Sequence, residues 1–172
     1  MPSAPCLPYS HRPVRLPACR MLPVLCLAAV LALACIRPAT AEPVRKTGAL
    51  IHVPAYSHIY QGSRNKPFLL TVILAVRNVD PARPVSIESI QYFDGDGKHL
   101  EVFDVNKKVL GPLAALEMII DESDKRGGAG AGFLVRWKAD APVAPPLVET
   151  VMISTTGGQG ISFVCRGEEV PE

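Results

Sequence analysis

PFLLTVILAVRNVD, residues 67–80, is the longest apolar run outside the amino-terminal leader, and its reading decides the fold. Side chains alternate along an extended chain. Phe68, Leu70, Val72, Leu74 and Val76 then share one face, and Leu69, Thr71, Ile73, Ala75 and Arg77 the other. Periodicity alone leaves a buried helix open. The β-branched residues Thr71, Val72, Ile73, Val76 and Val79 favour a strand. So do Pro67 in front and the turn-forming Asn78-Val79-Asp80-Pro81 behind. The run is therefore expected to be the central strand, with its even face in the core. The odd face is unusually apolar for a sheet with one wet side. Leu69 and Ile73 need covering, by this chain or by a second copy packed on the odd face of residues 68–77.

The chain has 172 residues, about one domain. Its beginning reads as a leader. Arg12, Arg15 and Arg20 precede LPVLCLAAVLALACI, residues 22–36, which has the length of a signal-peptide apolar segment and is short for a membrane span. Ala39-Thr40-Ala41 has the small-x-small pattern of a signal peptidase site, so residues 1–41 are expected to be removed after Ala41. Two alternatives stay open. Ala32-Leu33-Ala34-Cys35 resembles a lipobox, in which Cys35 would carry lipid and anchor the protein to a bacterial membrane; and Met21 is an alternative start to Met1. Loss of the leader removes four of the 18 basic residues and none of the 16 acidic ones, so the net formal charge changes from +2 to −2. This argues against nucleic-acid binding, which needs a concentrated basic patch. Cys6, Cys19, Cys26 and Cys35 leave with the leader, and the remaining Cys165 is expected to be a buried, inert thiol.

The mature chain reads as a flexible lead-in (42–48), a β domain (49–167) and a loose acidic tail (168–172). Residues 49–53 form a short strand that Pro54 breaks or confines to an edge, and residues 56–60 resume it. In residues 85–93, Val85 and Ile87 share one parity and Ile90 and Tyr92 the other. One extra residue near Glu88-Ser89 brings all four to the core, which predicts a β-bulge. Asp94-Gly95-Asp96-Gly97 predicts a tight hairpin turn. It also resembles the start of a calcium loop, but Lys98 and Val105 stand where that loop needs ligands. Leu116, Met118 and Ile120 alternate with acidic residues, although Ile119 interrupts the polar face. Phe133, Val135 and Trp137 point inward with the cleanest alternation in the chain. Residues 147–155 and 161–166 form a last hairpin. The sum is an all-β, antiparallel sandwich of the immunoglobulin or fibronectin kind, with about seven to eight strands.

The segments VPAYSHIY, LLTVILAVRNVD, GGAGAGFLVRW, ETVMI and GISFVCRG, in this order, resemble a family of small exported bacterial proteins classed only as a domain of unknown function. The resemblance runs over roughly residues 52–168. It implies a secreted or lipid-anchored β-rich protein, with no assigned reaction and no catalytic residues to carry over.

Tyr56, His58 and Tyr60 share a face if extended and form the best ligand candidate, able to stack on a sugar or peptide. Ser57 beside His58 is no catalytic dyad, since neighbours on a strand point apart, and no G-x-S-x-G motif is present. Ser123, Asp124, Gly127 and Gly128 belong to a glycine-rich loop that could line the same recognition surface. A strand follows that loop where a phosphate site needs a helix. A copper or zinc site using His52, His58, His99 or Met118 is the alternative, though no H-x-H or C-x-x-C motif supports it. The expected function is an exported, periplasmic or secreted cell-envelope module. It binds a protein or glycan, with no catalytic activity, no cofactor and no transmembrane segment in the mature form.

Overall fold

The computed structural model describes residues 44–61, 66–155, 158 and 160–171, so Cys35 and Ala41 lie outside it. The described chain is all-β and antiparallel. Its strands are β1 (Lys46–Ala55), β2 (His58–Gln61), β3 (Lys66–Leu69), β4 (Thr71–Arg77), β5 (Val85–Phe93), β6 (His99–Phe103), β7 (Lys108–Leu110), β8 (Ala115–Ile120), β9 (Ala131–Val143), β10 (Leu147–Ser154), β11 (Ile161–Arg166) and β12 (Glu168–Val170). One sheet runs β12-β1-β9-β5-β6, with β7 also paired to β5. A second runs β11-β10-β4-β8, and β2 and β3 form a separate hairpin.

The two large sheets share one core. Val53, Ile87, Ile90, Tyr92, Phe133, Val135 and Trp137 enter it from the first, and Val72, Leu74, Val76, Val148 and Met152 from the second. Each such side chain contributes about 1.5–3 kcal/mol when fully buried. Thr150 also points inward, and its hydroxyl donates to the Pro54 carbonyl at 2.5 Å, tying the sheets together across the core.

The phase change in residues 85–93 is resolved by a bulge. The register of β5 on β9 slips between Ile87 and Ser89, which leaves Glu88 as the extra residue. Val85, Ile87, Ile90 and Tyr92 are consequently all buried. The turn after β5 is an Asp-capped hairpin turn. The Asp94 carboxylate accepts from the amides of Asp96 and Lys98, and Gly97 takes φ +78°.

The central run is not one strand. It divides at Leu70, whose amide donates to the Ser57 carbonyl at 2.9 Å. Before that point the chain pairs with β2, His58 opposite Leu69, and after it the chain enters the four-stranded sheet as β4. The β2–β3 hairpin thus accounts for Leu69. Residues 56–60 do not resume the first strand but turn away from it at Tyr56-Ser57.

Both ends of the domain are more ordered than their polarity suggests. The expected lead-in already contributes Lys46–Gly48 to β1, and β1 continues through Pro54 to Ala55. Proline is tolerated there because β12 pairs only with Leu50–His52, so among the described residues no strand on that side calls for the missing Pro54 amide. The expected acidic tail holds β12. Gly167 permits the crossing between sheets: its amide donates to the Val148 carbonyl at 2.8 Å, and a Cβ there would press on the Ile51 side chain. Lys46 pairs with Glu169 across β1 and β12.

A buried polar clamp closes one end of the molecule. Asn78 Nδ2 donates to the carbonyls of Arg83, Leu110 and Gly111, and its Oδ1 accepts from the Asp80 amide. The Asp80 carboxylate accepts from the amides of Ala82, Arg83 and Ala144 and from Arg45. These amide bonds, led by that of Ala82, hold the Asp80 carboxyl below its usual 3.8. A depressed acid stabilises the fold above its unfolded pKa, and that contribution is lost as pH falls through the lower folded value. Asp80→Asn is expected to lower the melting temperature near neutrality and to flatten the fall in stability below about pH 4, measured by thermal melts across pH. Asn78→Ala leaves the Leu110 and Gly111 carbonyls without this donor and is expected to cost about 2–4 kcal/mol in urea denaturation.

Candidate functional site

Of the segments singled out in the sequence, the β1–β2 turn, the β5–β6 hairpin and the glycine-rich loop come together at the end of the strands opposite the clamp. The chain leaves β1 at Ala55 and turns through Tyr56 and Ser57. The Ser57 amide donates to the Gly128 carbonyl at 3.0 Å, and the Gly95 amide donates to the Gly127 carbonyl at 3.2 Å. The glycine-rich loop is thereby stitched to both the β1–β2 turn and the β5–β6 hairpin. Ser57 is fully buried, and its hydroxyl lies 3.0 Å from that of Tyr92. Burial pushes the Tyr92 phenol up, and the Ser57 hydrogen bond opposes this.

Gly127 sits directly over this pair. A Cβ there would overlap the Tyr92 hydroxyl and crowd Ser57 Oγ and Ala131. Gly127 has an ordinary helical φ of −69°, so its role is close approach. Gly128, at φ +74°, is the one that uses glycine's left-handed freedom. Of the other loop candidates, Asp124 accepts from Arg126, which also reaches Glu101 on β6 at 2.8 Å. The Arg126 hydrogen bond holds the Asp124 carboxyl low, and the two acids keep the guanidinium firmly protonated. The Ser123 amide is capped by Asp121. These loop residues are occupied in holding the loop's own shape.

The aromatic trio is divided. Tyr56 packs edge-on against Phe163 of β11. His58 and Tyr60 do share a face, with rings 5.1 Å apart, and Tyr60 is 60% exposed. The three histidines of the metal alternative sit on separate elements. His52 lies on β1 against Gly132, His58 on the β2–β3 hairpin, and His99 on β6 edge-on to Phe93. Among the described residues no group of three or more His, Cys, Asp or Glu is placed to hold a metal ion. Cys165 is half-buried against the core, and burial pushes its thiol up. A shallow trough of about 530 Å³ lies elsewhere, along β1 and β12 near Gly48, Lys138 and Glu169.

The outer face of the four-stranded sheet presents a different kind of surface. Val164, Val151, Ile73 and Ile119 stand opposite one another across β11, β10, β4 and β8, and form one transverse apolar row. Ile119 is 66% exposed and Val164 57%. The next row is Arg166, Glu149, Ala75 and Glu117. Ile73, on the apolar odd face of the central run, and Ile119, which interrupted the expected polar face of its strand, were the visible signs of this surface. Their partners could not be named without the register.

The family model described as "Protein of unknown function (DUF3124)" matches residues 48–170. The chain belongs to this family. The match begins within β1 and ends on the last residue of β12, so the DUF3124 domain coincides with the paired sheets. No curated protein matches the chain. The crystal structure of Thermotoga maritima 1070 is similar at 14% identity, covering 70% of this chain and 92% of that one with a TM-score of 0.42.

Within this DUF3124 domain the Ser57–Tyr92–Gly127 corner makes a sharp energetic claim. Gly127→Ala is expected to destabilise by about 1–3 kcal/mol, because the added methyl must displace the Tyr92 hydroxyl. In the Tyr92→Phe background the same substitution should cost measurably less. Equal costs in the two backgrounds, in a double-mutant cycle read by urea denaturation, would place the crowding elsewhere.

Proposed function

We propose that this chain is an exported, non-catalytic binding or structural module of the cell envelope, which engages its partner through the outer face of the four-stranded sheet. The observation that carries this reading is the row Val164–Val151–Ile73–Ile119, with Ile153, itself 40% exposed, beside it in the adjacent row. An apolar stripe with a charged row along one side has the layout of an interaction surface. The outer face of the other sheet is mixed in character. Its rows include Val170–Leu50–Arg136–Ser89 and Glu168–His52–Leu134–Gln91.

We read the two layers as a sandwich of the immunoglobulin or fibronectin kind, a scaffold on which faces and loops serve recognition. Export rests on the leader, with its basic segment, its apolar stretch at residues 22–36 and Ala39-Thr40-Ala41. Among the described residues no helix is long and apolar enough to cross a membrane. The periplasm or the exterior is the compartment this combination favours, and a protein or glycan of the envelope is the expected partner class.

Two measurements test this. A photo-crosslinking residue at Ile119 or Val164 is expected to give adducts in exporting cells, and one at Val102, 57% exposed on β6, is not. Equal yields at the three positions would remove the interface. Intact-mass analysis of the exported protein is expected to find Glu42 at the amino terminus. A lipid-modified Cys35 terminus would select the anchored form instead.

A further inference from the structure

Given that the outer face of the four-stranded sheet is an interaction surface, we infer that its occupant is a second copy of this chain, packed face to face about a twofold axis parallel to the strands. The inference rests on the functional reading above and adds the partner's identity and geometry. The argument comes from how charge is distributed along one row.

The row Arg166–Glu149–Ala75–Glu117 runs across β11, β10, β4 and β8 beside the apolar one. It is positive at the β11 end and negative at the β8 end. Arg166 and Glu117 are both exposed, and among the described residues neither takes part in an ion pair. Two identical sheets facing each other are related by a twofold axis lying in the plane between them. Two placements of that axis keep the apolar rows in contact.

An axis along the row exchanges the two ends of every strand. The charged row then lies over Ser162, Ile153 and Thr71 of the other copy, which offer it no counter-charge. An axis parallel to the strands reverses the order of the strands instead. Val164 then lies over Ile119 of the second copy and Val151 over Ile73, so the apolar row covers itself. On the charged row Arg166 meets Glu117 of the second copy at both ends, and Glu149 meets the small Ala75. Only this arrangement is complementary in both rows. It is isologous, as a closed dimer requires, and compatible with the aligned packing of twisted sheets. Four strands at about 4.8 Å spacing make a narrow face, so the interface is at the small end of stable ones and its dimer is concentration-dependent.

The test is sedimentation of the purified mature protein over a concentration series, with Arg166→Glu, Glu117→Arg and the double variant beside it. Circular dichroism confirms that each variant is folded. The wild type is expected to dimerise. Each single reversal places like charges opposite each other at both ends and is expected to weaken the dimer about tenfold or more. The double variant restores opposite signs and is expected to recover to within a few-fold of wild type. A wild type that stays monomeric at every accessible concentration overturns the inference. If Ile119 then crosslinks to a different protein, the face remains an interface and only the second copy is lost. A dimer that the single reversals leave intact, or that the double variant fails to restore, overturns the axis.

Discussion

The fold depends on a buried pair of polar side chains, Asn78 and Asp80, at the point where β4 ends. Asn78 spends both hydrogens of its amide on carbonyls of other segments, and Asp80 gathers amides from the turn beyond it and from Ala144. Both residues are 2% exposed. A buried carboxylate is tolerable only when its lone pairs are satisfied, and here several backbone amides satisfy them. The result links the 78–85 turn, the 110–114 turn and the start of the β9–β10 connection, three segments distant in sequence. Sheets held by non-local pairing need such links, because hydrophobic contact alone does not choose how the ends of the layers close.

The opposite end is closed by shape. Ser57, Tyr92 and Gly127 fit because one of them has no side chain. The Gly127 site holds backbone against a phenol hydroxyl, and the neighbouring carbonyls bond to Ser57 and Gly95. The clamp end thus draws its specificity from hydrogen-bond direction and the glycine end from excluded volume. The functional candidates of the glycine loop are absorbed by this task. Asp124 and Arg126 brace the loop against Glu101, and Ser123 is a capped turn residue.

Alternation made much of the architecture legible before any coordinates. The even face of β4, the inward Phe133, Val135 and Trp137 and the bulge at Glu88 follow from counting parity, the Asp94 hairpin follows from Asp-Gly turn chemistry, and all are present. What escaped depends on register or on tertiary partners. Leu70 gives no local sign that the apolar run changes partner there, since the cause is a hydrogen bond to Ser57. The polar tail 168–172 looks loose because β12 is held by backbone pairing and by Lys46–Glu169, neither of which leaves an apolar pattern. Tyr56, His58 and Tyr60 share parity, yet the turn at Ser57 separates the first from the other two. The transverse row was legible only in part: Ile73 and Ile119 stood out within their own strands, but the four residues belong to four strands and only pairing aligns them.

That alignment bears on why the residues are apolar at all. β4 is an interior strand, and Ile73 there benefits from neighbours on both sides. Ile119 and Val164 lie on the two edge strands, β8 and β11, and more than half of each faces solvent. Strand propensity does not require them, since threonine meets the same backbone preference with a polar surface. Edge strands are moreover where an exposed apolar side chain carries the greatest aggregation risk. Left uncovered, these positions forgo most of the roughly 1.5–3 kcal/mol that burying such a side chain provides. A structure that accepts this at both edges, in the register line that also carries Val151 and Ile73, has an apolar surface suited to a matching one. The row with Arg166 at one end and Glu117 at the other supplies the polarity by which a matching surface is oriented.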